Sequence, residues 1–182
     1  MLSPSPADPQ IAAAVFADHV ERARAGGPAR QHGWSFTRLD PLHVIVEVTP
    51  HQPAGQGQGF YVKLGAEYYD LHPPTTLFVC PPRTAGDTGG AAGWSAAPPG
   101  SRWLPVVEAL PWFAVHGAYP FPTGPGQLVC CSMTFGYYVT GHSPTAGQQW
   151  RQGQHTLVAT LSRIQDALDS PNYRGPADAV HP

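Results

Sequence analysis

The sequence is poor in charge. Only 12 % of its 182 residues are Asp, Glu, Lys or Arg, and the net charge at neutral pH is −2. That share is about half of what a soluble domain usually carries, and it leaves no excess of positive charge to hold nucleic acid or an anionic membrane surface. Lysine occurs once, as Lys63, beside nine arginines, a bias that genomic base composition explains without function. Asparagine also occurs once, as Asn172. No run of 18 apolar residues is present, so no helix is expected to cross a membrane. The opening Met1-Leu2-Ser3-Pro4-Ser5-Pro6 lacks the positive start and apolar run of a secretory signal. Cys80, Cys130 and Cys131 are an odd number of cysteines without zinc-ligand spacing, which points to a cytoplasmic chain with reduced thiols. The nine histidines form no H-x-x-x-H or H-E-x-x-H pattern, so no metal site is expected. With no Gly-x-Gly-x-x-Gly after a strand and no phosphate loop ending in Gly-Lys-Ser/Thr, no nucleotide cofactor is expected either.

Glycine and proline are plentiful, at 20 and 22 residues, but 42 % hydrophobic residues and five tryptophans exclude a disordered chain. The length fits one domain over 1–182 with long loops. Asp8-Pro9 reads as a helix start, with a capping carboxylate and proline at the first helical position. The stripe Ile11, Val15, Phe16, His19, Val20 follows, and Gly26-Gly27 ends the helix. Four strands are expected, Trp34 to Leu39, His43 to Val48, Phe60 to Leu64 and Thr75 to Cys80, and their short polar connections favour an antiparallel meander. A Gly/Pro-rich insertion covers about 81–100, and 101–150 is expected to be ordered but irregular. Leu157, Leu161, Ile164 and Leu168 then mark the apolar edge of a C-terminal helix that stops at Ser170-Pro171. The fold class is α+β.

The chemistry-bearing feature is the vicinal pair in Gly126-Gln127-Leu128-Val129-Cys130-Cys131-Ser132. A thiolate is a strong nucleophile near neutral pH, and a cysteine in an irregular segment is open to a substrate. A free cysteine also serves as a small apolar core residue, the reading that suits Cys80 at the end of a buried strand. Adjacent cysteines can instead close a strained disulfide and act as a redox switch. His72, before two prolines, is expected to be scaffold, and His19 and His155 to lie on helices, solvated or partly buried.

The order of these segments resembles the ubiquitin-conjugating enzyme family. Phe60-Tyr61-Val62-Lys63-Leu64, Tyr68-Tyr69 and His72-Pro73-Pro74-Thr75-Thr76-Leu77-Phe78 look like the family's strand, tyrosine, double-proline and phenylalanine run. His116 is similar to the histidine ahead of the family's active cysteine, and Gly126 to Ser132 to its glycine, aliphatic, cysteine segment. Trp150, the last helix and Ser170 to Pro176 resemble its tryptophan, helix and proline-asparagine ending. The resemblance covers about residues 8–176. It implies a domain of that fold, an N-terminal helix, a four-stranded antiparallel meander, an irregular active-site segment and a C-terminal helix. It implies an acyltransferase in which a cysteine carries the C-terminal carboxyl of a protein partner as a thioester and gives it to an amine, with no small-molecule cofactor. Cys130, Cys131 and His116 are the catalytic candidates. Cys130 follows aliphatic Val129 as the family's nucleophile does, while Cys131 fills the next apolar position.

This chain departs from the family at the asparagine that normally follows the histidine by two, where it reads His116-Gly117-Ala118. Losing one oxyanion donor costs about 10²–10³ in rate in hydrolases, so backbone N–H groups or the Ser132 and Thr134 hydroxyls would have to substitute. The stretch from Cys131 to Trp150 is longer than usual, and Tyr137-Tyr138 and His142 within it either flank the site or form a packed surface loop. Divergent bacterial members of the family stand in antiphage operons of the CBASS-like or ubiquitin-like conjugation kind. The implied partner is therefore a cGAS-like nucleotidyltransferase or a ubiquitin-like protein with a free C-terminus, together with a separate activating enzyme. The alternatives are a non-catalytic adaptor of the same fold and the vicinal-cysteine redox switch.

Overall fold

The first helix begins where the sequence marks it. In the computed structural model, which describes residues 4–53, 57–82, 93–145 and 147–179, α1 spans Pro9–Ala25, and the Asp8 carboxylate accepts from the backbone N–H groups of Gln10 and Ile11. That cap is worth about 1 kcal/mol. The buried stripe is Ala12, Phe16, Val20 and Ala23. Ile11 is not part of it and stands 65 % exposed, because the buried face is centred on Phe16. A short second helix, α2 (Gly27–His32), follows directly and ends at Gly33 in the left-handed region, with φ 70°. The paired glycines break the helix axis rather than ending helical structure.

The four expected strands are present as β1 (Ser35–Asp40), β2 (His43–Val48), β3 (Phe60–Gly65) and β4 (Thr75–Cys80). They pair antiparallel in chain order. The sheet has five strands rather than four, because β5 (Ser95–Ala96) adds to the edge through Val79 and Cys80. Of the Gly/Pro-rich insertion at 81–100, residues 83–92 lie outside the described residues. Val46, Val48, Phe60, Val62, Leu64 and Phe78 face the core and meet α4 (Leu157–Leu168), whose Leu157, Leu161, Ile164 and Leu168 are fully buried.

The half expected to be irregular is instead built of strands. β6 (Pro105–Val107) pairs with β9 (Tyr173–Pro176), and β7 (Ala114–Phe121) pairs with β8 (Gly124–Cys130). Gly117 and Pro120 obscure the alternation of β7. Both are tolerated in a two-stranded ribbon, whose outer edges carry no ladder hydrogen bonds. Pro120 sits opposite Pro125, so the two missing N–H groups fall at one rung of the ladder. α3 (Phe135–Val139) follows β8. The architecture is a mixed α+β fold, a five-stranded antiparallel sheet with few helices. Among the described residues, no helix is long and apolar enough to cross a membrane.

Candidate active site around Cys130

β8 carries Cys130 at its last position, and a glutamine side chain fixes β8 against the sheet. Gln127 Oε1 accepts from Phe78 N–H at 2.6 Å, and its Nε2 donates to Phe78 O at 3.0 Å and Ala97 O at 3.3 Å. One side-chain amide thus makes the two bonds a neighbouring strand would make, and locks β8 to β4. Beyond Cys130 the chain turns, and Thr134 holds the turn. Its buried hydroxyl lies 2.6 Å from Val129 O and 2.9 Å from Cys131 O. α4 supports the same turn through Thr160 Oγ1, which donates to Met133 O at 2.6 Å.

The two cysteines separate here. Cys131 is 1 % exposed, and burial pushes its thiol up to about 11. It is a core residue, packed with Val129 and Met133 in the central cluster. Cys130, 9 % exposed, lies at the edge of that core, and its Sγ is 3.9 Å from His142 Nε2. Burial raises the Cys130 thiol as well, so it rests protonated, and a neighbouring base determines whether it reacts.

His142 is exposed on the loop after α3, but its ring is held. Nδ1 lies 2.9 Å from Thr140 Oγ1, and the ring stacks on Tyr137 with centroids 4.9 Å apart. α3 is seated by Phe135, which donates its N–H to Pro74 O at 3.1 Å and stacks on Tyr68 at 3.9 Å. Tyr138 OH donates to Ser132 O and accepts from Trp150 N–H, and Trp150 Nε1–H donates to Asp70 O. The long segment from Cys131 to Trp150 is therefore pinned at both ends, with His142 between the pins. Burial first, and then the charges of Cys130 and Cys131, raise the Tyr137 phenol.

His116 is placed elsewhere. It is exposed on β7 in register with Leu128, with its ring against Tyr119 at 5.7 Å. The histidine within hydrogen-bonding reach of Cys130 is His142. Thr134 is no oxyanion donor, because its hydroxyl is committed to backbone carbonyls in the core. The sequence names His142 and Tyr137 only as flanking residues. The signal available there is a Tyr-Tyr-x-x-x-His run just past the cysteines, which has no standing as a motif. His72 is partly buried against Phe135. His19 pairs with Tyr69 OH at 2.7 Å, and His155 lies ahead of α4, accepting from Arg151 N–H.

Compared with family models, curated proteins and solved structures, the chain matches none.

Proposed function

We propose that this protein is a ubiquitin-conjugating-enzyme-like acyl carrier, in which Cys130 takes the activated C-terminus of a protein partner as a thioester and passes it to an amine. The observation that carries the reading is the contact of Cys130 with His142, a nucleophile and a base brought together at the end of β8. The order of helix, antiparallel meander, cysteine-bearing segment and helix supports a domain of that fold.

In the first step His142 Nε2 takes the Cys130 proton as Sγ attacks the acyl carbon of a donor thioester. The donor's C–S bond breaks and its sulfur leaves with the proton. In the second step an amine attacks the Cys130 thioester, His142 takes the proton the amine nitrogen loses as the new C–N bond forms, and Cys130 leaves as a thiolate to which His142 returns that proton. A base of this kind contributes about 10²–10⁴ in rate, and a thiol raised by burial needs one. Tyr137, beside both groups, is the side chain positioned to donate to the oxyanion in place of the missing asparagine. The partner is a cGAS-like nucleotidyltransferase or a ubiquitin-like protein of a bacterial, cytoplasmic antiphage system, by the resemblance of the sequence.

A peptide carrying a C-terminal thioester tests the chemistry without knowledge of the natural donor. The expected result is a hydroxylamine-labile adduct that Cys131→Ala retains, that Cys130→Ala abolishes and that forms more slowly in His142→Ala. An adduct unaffected by Cys130→Ala overturns the assignment. The buried, protonated Cys130 thiol and the absent asparagine favour a second reading, a non-catalytic adaptor of the same fold. Failure of any cysteine to accept the peptide, with partner binding that survives alkylation of every thiol, is the result that reading predicts.

A further inference from the structure

Three segments far apart in the sequence meet at the C-terminal end of α4. His32 is the last residue of α2, His51 lies in the connection after β2, and Asp169 caps the C-terminus of α4. One ligand-bearing atom from each residue can be chosen so that all three lie within 4.8 Å of one another. We propose that these residues form a binding site for one divalent transition-metal ion of the zinc class.

His32 and Asp169 are held by their own contacts. The His32 ring stacks on Trp34 at 5.5 Å with an interplanar angle of 20°. Trp34 Nε1–H donates to Gln165 Oε1 at 2.9 Å inside the core. Gln165 Nε2 in turn donates to Asp169 Oδ2 at 3.0 Å and to Thr49 O at 3.0 Å. Asp169 Oδ1 accepts the His51 N–H at 2.7 Å, and Oδ2 lies 2.9 Å from His51 Nδ1. The contact between His51 and Asp169 brings an imidazole nitrogen and a carboxylate oxygen together, as two ligands of one ion require.

His32 gives the independent sign of a missing ligand. Its Nδ1 is buried and has no hydrogen-bond partner among the described residues, although the His51 ring stands 5.5 Å away, centroid to centroid. Buried polar atoms are nearly always paired, and an exception calls for an ion, a water or strain. A pair formed by Asp169 and His51 accounts for two of the three groups and leaves this nitrogen orphaned, whereas a metal ion takes it up. The carboxylate repels anions. Two imidazole nitrogens with one carboxylate oxygen suit zinc, nickel or cobalt, while magnesium and calcium prefer oxygen throughout. Zinc bonds of about 2.0–2.1 Å place ligand atoms roughly 3.3 Å apart. Closing to that spacing requires a side-chain rotation, which the 51 % exposed His51 side chain is free to make. Three protein ligands leave a fourth position to solvent. The ion would tie α2, the connection after β2 and the end of α4 together, away from Cys130.

The test is titration of the metal-free protein with Zn²⁺ and with Co²⁺ in a Cys130→Ser background, which removes the thiol beside His142 as a competing ligand. The expected result is one ion per chain, with cobalt bands showing nitrogen and oxygen ligation and no thiolate charge transfer. His51→Ala and His32→Ala should each weaken binding by more than about tenfold, the lower figure for losing even an outer-shell partner. His116→Ala should bind as the parent does. Asp169→Asn disturbs a helix cap and is accepted as evidence only where circular dichroism shows it folded. His51→Ala alters an exposed side chain and decides the matter alone. Binding unchanged in His51→Ala, sulfur ligation, or no binding of either ion overturns the site.

Discussion

Cys130 Sγ and His142 Nε2 lie 3.9 Å apart, twelve residues distant in the chain, with Thr140 and Tyr137 holding the imidazole in place. Cys131, the next residue, points into the core instead. Adjacent residues at a strand end point to opposite sides, and that alternation gives one cysteine a base and denies it to the other.

The first prediction concerns this asymmetry. Native protein treated with iodoacetamide near pH 8 should be alkylated at Cys130 at least about 100-fold faster than at Cys131, whose thiol is raised to about 11 and lies in the core. Peptide mapping by mass spectrometry reads the ratio. Urea should make the two rates converge. His142→Ala should slow Cys130 specifically, and His116→Ala should leave it unchanged.

Gln127 positions β8, and its removal should be felt in both stability and reactivity. Gln127→Ala leaves Phe78 N–H without its partner, whereas Phe78 C=O keeps the Ala97 N–H. One unpaired backbone N–H costs about 1–3 kcal/mol. A fall in the urea midpoint with an unchanged m-value is expected, together with a slower reaction at Cys130.

Gly136 packs α3 directly on β8. A Cβ there would lie 2.5 Å from Leu128 Cδ1, so Gly136→Ala should cost about 1–3 kcal/mol through overpacking. The double variant Gly136→Ala, Leu128→Ala should cost less than the sum of its singles, because truncating Leu128 vacates the space the methyl needs. Additive losses in chemical denaturation would refute that packing.

Acid should weaken the fold at the turn joining β1 and β2. His43 lies between Asp40, at 2.9 Å from Nδ1, and Glu67, at 2.8 Å from Nε2. Burial pushes the Glu67 carboxyl up, but hydrogen bonds from its own backbone, Thr75 and His43 outweigh burial and leave it below its ordinary 4.5. Asp40 is likewise lowered, burial being outweighed by the Leu42 N–H and His43. Carboxyls lowered in the folded state contribute stability above their unfolded values and lose it as pH falls through the folded ones. Stability should therefore decline on acidification below about pH 4.5. Glu67→Gln should flatten that limb in urea titrations run at successive pH values, and an unchanged slope would contradict the network.

The sheet was legible because its strands are β-branched and alternating, as in His43-Val44-Ile45-Val46-Glu47-Val48, and because Leu157, Leu161, Ile164 and Leu168 keep a helical spacing. The hairpin of β7 and β8 was not, since Gly117, Pro120 and Pro125 interrupt its pattern. Of the site, the sequence yields the cysteine pair, while packing decides between its members. His142 reaches Cys130 through contacts of Tyr138 with Ser132 and Trp150 that no local pattern announces. His32, His51 and Asp169 converge only because α2, the connection after β2 and α4 fold together, so a search for closely spaced ligands passes over them.

The most direct measurement is the intact mass of the protein isolated from cells that also express its genomic neighbours, with and without dithiothreitol. The account predicts a protein-sized adduct that is lost with reductant or hydroxylamine, absent in Cys130→Ala, present in Cys131→Ala, and trapped as a reductant-resistant ester in Cys130→Ser. Bare protein throughout in the presence of a competent donor, or an adduct that persists in Cys130→Ala, would contradict it.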